Sequence, residues 1–244
     1  WFEGIKFFET KNFLLSRSLF FLYKLNSRWA QIIVSSASSK NELNKKGIKE
    51  NNIKVAPPAV KLNLHERQEN IFSELAREDL RFKRKFFTVG AILELEEKQK
   101  AEILLGAIKT CQPLIPNLQL IIVGDGKEKK NLVWLAKKMA IDNISWFVGA
   151  ERTQKWLNNF DIFVAAFEEP KITDITTVIK AMAAELPVIG FRNVGLEDII
   201  YENKTGSLIE ADNSEMLARQ IIKLYNDKRL RKDLGKRAKE RAQN

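Results

Sequence analysis

Between residues 85 and 213, short apolar runs alternate with segments whose apolar residues recur at helical spacing. The runs are KFFTVG (85–90), LQLIIVG (118–124), ISWFVG (144–149), DIFVAA (161–166), LPVIG (186–190) and TGSLIE (205–210). Amphipathic segments lie between most of them, from Lys98 to Thr110, Glu128 to Ala140, Arg152 to Asn159 and Asp174 to Ala184. A run apolar on both faces needs cover on both sides, and strands alternating with helices build a parallel sheet. The pattern predicts an α/β fold, with a Rossmann-like parallel-sheet domain over 85–213 and C-terminal helices over 214–244. Ligands of such sheets bind beyond the carboxyl ends of the strands, where the strand order reverses. That rule points to the loops after Val89, Val123, Val148 and Ala165.

A smaller unit precedes this one. QIIVSS reads as a strand, SSKNELNKKGI as a helix capped by Ser38 or Ser39 and stopped at Gly47, and NIKVAP as a second strand. These elements make one βαβ unit within residues 1–60, a partial N-terminal α/β domain. VAPPAVKLNLHERQEN holds the chain's Pro-Pro pair and opens a linker over 61–84. His65, the one histidine, falls in that linker and reads as a surface residue.

The strand-end loops carry the candidate chemistry. Gly90, Gly124 and Gly149 each end an apolar run, and a residue without a side chain lets a ligand approach backbone N–H groups. A tight turn is the simpler reading of each. VGDGKEKKNL places Asp125 at a strand end before a lysine-rich helix, without the spacing of a P-loop or dinucleotide fingerprint. In AAFEEPKITDITTVIKAMAAELPVIG, Thr173 or Asp174 is placed to cap a helix whose free N-terminus favours anions. Asp174 in that field would repel a diphosphate.

Composition narrows the partners. The net charge is +10, and much of the excess lies in Lys228, Arg229, Arg231, Lys232, Lys236, Arg237, Lys239 and Arg241. A solvated basic helix is the first reading, contact with an anionic membrane the second, and nucleic acid the last, because no zinc spacing or base-stacking motif accompanies the charge. The aromatic segment FFETKNFLLSRSLFFLYKL reads as packing against another domain, with a membrane interface as the alternative. The single cysteine, Cys111, fits a reducing, cytoplasmic setting and reads as a buried hydrophobe rather than a catalytic thiol. The chain begins at Trp1 and ends at Asn244 within a helical pattern, which is the expectation for a piece of a longer protein.

Taken in chain order, IIVSSASSKNELNKKGIKENNIKVAPPAV, FTVGAI, LQLIIVGDGKEKKNLVWLAKKM, ISWFVGA, NNFDIFVAA, IKAMAAELPVIGFRNVGLEDII, ENKTGSLIEADN and EMLARQIIKLYNDKRLRKDLGKRA resemble the family-four retaining glycosyltransferases. The resemblance runs from about Gln31 onward. It implies a GT-B fold of two facing Rossmann-like domains, with residues 1–60 the end of the acceptor-side domain and 85–213 the nucleotide-sugar domain. It also implies that the terminal helix crosses back to the first domain. The implied chemistry is metal-independent transfer of a sugar from a nucleotide-sugar donor, a substrate rather than a cofactor, to a glycan or lipid-linked acceptor.

The resemblance also shows where this chain departs. The family's loop arginine falls at Ala91, and Lys98 or Lys100 stands in for its lysine beside Glu94, Glu96 and Glu97. The Asn-Gly pair of its linker falls at Pro58-Ala59. Its two glutamates fall at Ile172 and Lys180, and its diphosphate glycine at Ile175. An ammonium only donates hydrogen bonds, so Lys180 does not replace a carboxylate that accepts them from ribose, although it suits a phosphate. Glu168 and Glu169 lie near enough for a rearranged loop to recruit one; a solvated acidic turn before Pro170 is the other reading. Two functions follow from this split: a transferase with an altered donor grip, or an inactive relative serving as a binding or assembly subunit.

Overall fold

The computed structural model describes residues 31–34, 37–56, 86–96, 98–147, 153–167 and 172–243. The first unit is small. Strand β1 (Ile32–Val34), helix α1 (Ala37–Lys45) and strand β2 (Ile53–Val55) form a parallel pair with its crossover helix, in the register Ile32↔Ile53 and Val34↔Val55. Gly47 sits at φ 90°, and its N–H reaches the Asn44 carbonyl at 2.8 Å while the Ile48 N–H reaches Leu43 at 3.1 Å. This pair of bonds closes the last turn, and Leu43 and Ile48 meet in the unit's buried cluster, so the stop expected at Gly47 is the one observed. The serine caps are not: α1 starts at Ala37, which puts Ser38 and Ser39 inside its first turn.

The second unit is a six-stranded parallel sheet of β3 (Phe87–Ile92), β4 (Leu118–Val123), β5 (Ile144–Phe147), β6 (Ile162–Ala165), β7 (Val188–Phe191) and β8 (Gly206–Ile209). The strand order is β5-β4-β3-β6-β7-β8, the doubly wound order, with the reversal between β3 and β6. Nearly every residue of β3, β4, β6, β7 and β8 is buried, as a sheet covered on both faces requires. Helices α2 (Lys98–Cys111), α3 (Lys129–Lys138), α4 (Thr153–Leu157), α5 (Ile172–Ala183), α6 (Val194–Glu197), α7 (Ser214–Asn226) and α8 (Lys228–Gln243) supply the cover. α2 packs with α3 and α7, α5 packs with α4 and α8, and α8 also meets α7.

Two features mark the reversal. At its base the Thr88 N–H bonds the Asp161 carboxylate at 2.9 Å, and the Asp161 N–H bonds the Thr88 carbonyl at 2.8 Å. Above that lock the β3–β6 ladder holds Val89↔Ile162 and Gly90↔Phe163, while β3 continues to Ile92 and β6 to Ala165. On its other side β3 stays paired with β4 from Phe87↔Leu118 to Ile92↔Val123. The carboxyl halves of β3 and β6 therefore leave their ladder where the topology reverses.

Among the described residues the terminal helix packs on the second unit. α8 packs against α5, α7 and β8. Lys239 pairs with Glu185 at 2.7 Å, Arg237 donates to the Lys204 carbonyl at 2.7 Å, and a Cβ on Gly235 would overlap the Glu185 carbonyl. These contacts hold it on the second unit.

Candidate functional site

The loops at the carboxyl ends of β3 and β4 are stitched together. The Leu93 N–H bonds the Val123 carbonyl at 3.0 Å, the Leu95 N–H bonds Asp125 at 2.9 Å, and the Glu128 N–H returns to Leu95 at 3.0 Å. The backbones approach so closely that a Cβ on Gly124 (φ 156°) would overlap the Leu93 carbonyl oxygen, and one on Gly126 would overlap the Leu95 carbonyl group. Gly124 thus has a structural reason to lack a side chain. Asp125 is exposed at this seam and pairs with Lys129 at 3.5 Å, while Lys127 reaches Glu96 at 3.8 Å.

Gly90 does not end its strand. β3 runs two residues beyond the expected end, so Gly90 is buried mid-strand, where a Cβ would overlap the Phe160 ring. Its role in the fold is to admit that ring. Ala91, at the position of the family's arginine, is fully buried. Lys98 is the first residue of α2. Gly149, Glu168 and Glu169 lie outside the described residues, as do His65, the Pro58-Ala59 pair and the N-terminal aromatic segment.

Helix α5 begins at Ile172, the position that the resemblance gives to the first glutamate. Thr173 and Asp174 therefore stand inside the first turn and not at its cap. Thr173 is exposed, and its carbonyl accepts the Thr176 and Thr177 hydroxyls at 2.8 and 2.9 Å. Lys180 follows seven residues later, on the same side of the helix and roughly 10 Å along its axis. It is half-buried, in the last turn. Ile175 belongs to the core, so its side chain packs α5 onto the sheet.

Two residues that the sequence pattern passed over shape the other rim. Asn193 follows β7. Its carbonyl oxygen accepts the Leu196 N–H at 2.9 Å, capping α6, and its amide donates to Phe167 and Phe191 carbonyls, each at 2.8 Å. It joins the end of β6 to the end of β7. Beside it Arg192 meets Glu197, Glu202 and Glu210, each at 3.3 Å. The hydrogen bond to Glu197 and the three negative charges hold its guanidinium protonated, with its pKa raised above the ordinary value. Asn before a short helix is a legible cap signal; the convergence of three glutamates on one arginine has no periodic signature.

Comparison with known proteins agrees with this architecture. The family model described as glycosyl transferases group 1 matches residues 72–241. Among curated proteins, N-acetyl-alpha-D-glucosaminyl L-malate synthase of Bacillus anthracis is 30% identical over 123 residues, 50% of this chain and 32% of that protein. Sulfoquinovosyl transferase SQD2 of Arabidopsis thaliana is 30% identical over 139 residues, 56% of this chain and 27% of that one. Among solved structures, Anabaena HepE in complex with UDP superposes with a TM-score of 0.76 at 20% identity, covering 89% of this chain and 60% of HepE. The aligned stretches span about a third or less of these two curated relatives, and the likeness to HepE is one of fold. The match across 72–241 takes in the whole sheet, the stitched loops and both terminal helices, and by it this chain belongs to the glycosyl transferases group 1 family.

Proposed function

We propose that this chain forms the nucleotide-sugar side of a family-four retaining glycosyltransferase, which transfers a sugar from a nucleotide donor to a glycan or lipid-linked acceptor. The observation that carries the proposal is the separation of β3 and β6 at the point where strand order reverses. It is the position at which sheets of this order receive nucleotides. Residues 85–213 are the donor domain, 61–84 the linker, 214–244 its closing helices and 1–60 the end of the acceptor side. The chain works in the cytoplasm.

In this reading the donor lies across the stitched loops and the exposed side of α5. Leaving-group charge is met by fixed cations and backbone dipoles, which act without reorganisation during the reaction. Lys98 supplies charge from the start of α2, and Lys180 and Thr173 line the α5 side. Gly124, Asp125 and Gly149 shape the floor, with Glu168 and Glu169 beside it. Metal plays no part. Titration calorimetry of nucleoside diphosphates and nucleotide sugars into the full-length protein tests the proposal. Saturable binding of one donor, followed by transfer to a glycan or lipid-linked acceptor, is the expected result; no heat across the common donors would end it.

Lys180 motivates a second reading, in which the frame serves assembly rather than transfer. Turnover by the full-length protein without any other glycosyltransferase present rejects that alternative.

A further inference from the structure

The terminal helix holds the most conspicuous run of positive charge, yet much of that charge is engaged within the chain. Arg231 donates to the Leu224 carbonyl at 2.6 Å and stacks over Phe87, and Arg241 lies over Tyr201, 4.8 Å from the ring centre. Arg237 and Lys239 are committed to Lys204 and Glu185, and Arg229 faces Asp233. The apolar residues Leu234 and Ala238 are buried. This helix offers scattered charge without an apolar anchor.

α3 is different. Trp134 stands on its outer side with 61% of its surface exposed, the most exposed of the large hydrophobic residues described. Lys130 and Lys138 lie one turn to either side of it, and Lys137 is next to Lys138. All three lysines are exposed, and the Lys138 ammonium sits over the indole, 5.1 Å from the ring centre. The nearby acids are occupied: Glu128 takes the Asn131 amide at 2.8 Å, Asp142 takes the Gln112 amide at 3.0 Å, and Asp125 faces Lys129. The Gln112–Asp142 bond also ties the loop bearing Leu114, 59% exposed, to the turn after α3.

We propose that the outer face of α3, built from Lys130, Trp134, Lys137 and Lys138, is a docking surface for an anionic lipid bilayer. Indole favours the headgroup region, where its apolar body is buried and its N–H stays wet. The lysines add attraction to a negative surface, and together with Lys127 and Lys129 they outnumber Asp125, Glu128 and Asp142 on and beside the helix. A single exposed aromatic favours lipid over single-stranded nucleic acid, whose binding platforms stack successive bases on several rings. The proposal is independent of whether the donor site is active.

Co-sedimentation of the full chain with phosphatidylcholine vesicles, with and without phosphatidylglycerol, tests it. Binding should require phosphatidylglycerol and weaken with salt. At about fivefold per lysine, K130E/K137E/K138E should lose on the order of a hundredfold in affinity. Trp134→Ala should lose several-fold, while K228E/K232E/K236E on α8 should lose less than the α3 triple variant. Brominated lipid should quench the fluorescence of the unaltered protein more than that of Trp134→Phe, a readout that needs no destabilising change. Unchanged binding by both α3 variants, equal quenching with and without Trp134, or an effect confined to α8 would overturn the proposal. So would the finding that Trp134→Ala weakens binding to single-stranded RNA and leaves vesicle binding intact.

Discussion

The Asn193 side-chain amide donates a 2.8 Å hydrogen bond to the carbonyl of Phe167, the last described residue before Ile172. The same side chain caps α6 and bonds Phe191, so one residue fixes the end of β6, the end of β7 and the next helix start. Asn193→Ala removes the cap and leaves two carbonyls short of a donor, which should cost about 1–3 kcal/mol in urea unfolding. Asn193→Asp keeps the cap acceptor and loses both donations. A donor-binding defect in both variants would show that the tie to Phe167 matters to the site; a defect in alanine alone would assign the effect to the cap.

The contact between Gly90 and Phe160 gives a stability prediction with an internal control. Gly90→Ala puts a methyl group where the ring now lies, and overpacking of this kind costs about 1–3 kcal/mol. Phe160→Leu alone loses packing, since Phe160 is nearly buried. The double variant should lose less than the sum of the single losses, with a coupling of about 0.5–3 kcal/mol. Simple additivity in a urea-unfolding cycle would mean that β3 shifts to absorb the methyl.

Two helix ends carry a side chain where the backbone favours glycine. Ala140 has φ 50° and closes α3 through bonds to Lys137 and, one residue on, from Ile141 to Ala136. Glu185 has φ 61° and closes α5 in the same way. Left-handed backbone costs a non-glycine residue about 1–2 kcal/mol, partly offset by the extra freedom of glycine in the unfolded chain. Ala140→Gly should therefore raise stability by about 0.5–1 kcal/mol, read as a higher melting temperature. Glu185→Gly gains less, because it gives up the ion pair with Lys239.

Cys111 is buried at the end of α2, with its thiol facing the Ala218 carbonyl at 3.6 Å, as expected for a small hydrophobe. Burial pushes its pKa up from 9.0 to about 12. The folded state therefore holds this proton more tightly than the unfolded state. The associated stability is fully present below pH 9 and is lost as pH rises toward 12, amounting to about 2 kcal/mol by about pH 10.5. Urea unfolding of the wild type and Cys111→Ala at pH 8 and 10.5 isolates this effect. The wild type should lose more stability than the variant between the two conditions.

The sequence made the sheet legible because its strands are buried on both faces and so appear as unbroken apolar runs, interrupted by helical periodicity. Boundaries slipped where tertiary contacts set them. β3 reaches Ile92 because its ladder with β4 continues, although Gly90 looks like an end. α5 starts before the threonine and aspartate that resemble its cap. In the candidate site, the loops were legible from the parallel topology. The stitching of Leu93 and Leu95 to the β4 loop depends on residues far apart in sequence, and the convergence of Glu197, Glu202 and Glu210 on Arg192 on how β7, α6 and β8 fold back together. No local period encodes them.

Lys180 offers the sharpest test of whether the donor grip is altered or lost. It shares a side of α5 with Thr173, at the position where the resemblance places a carboxylate that accepts ribose hydroxyls. Lys180→Glu restores an ionised acceptor, and a hydrogen bond to a charged group contributes about 1.5–3 kcal/mol, or about 10- to 150-fold in affinity. Calorimetric titration with a nucleoside diphosphate should show tighter binding by Lys180→Glu, with a smaller gain for the diphosphate's deoxyribose analogue. Lys180→Gln separates acceptor from charge, since it accepts a hydrogen bond without the negative field and should gain less than the glutamate. Weaker nucleotide binding by both variants would instead assign Lys180 to the phosphates. In that case the present ammonium belongs to a rearranged donor site, and the acidic partner of the ribose must come from elsewhere.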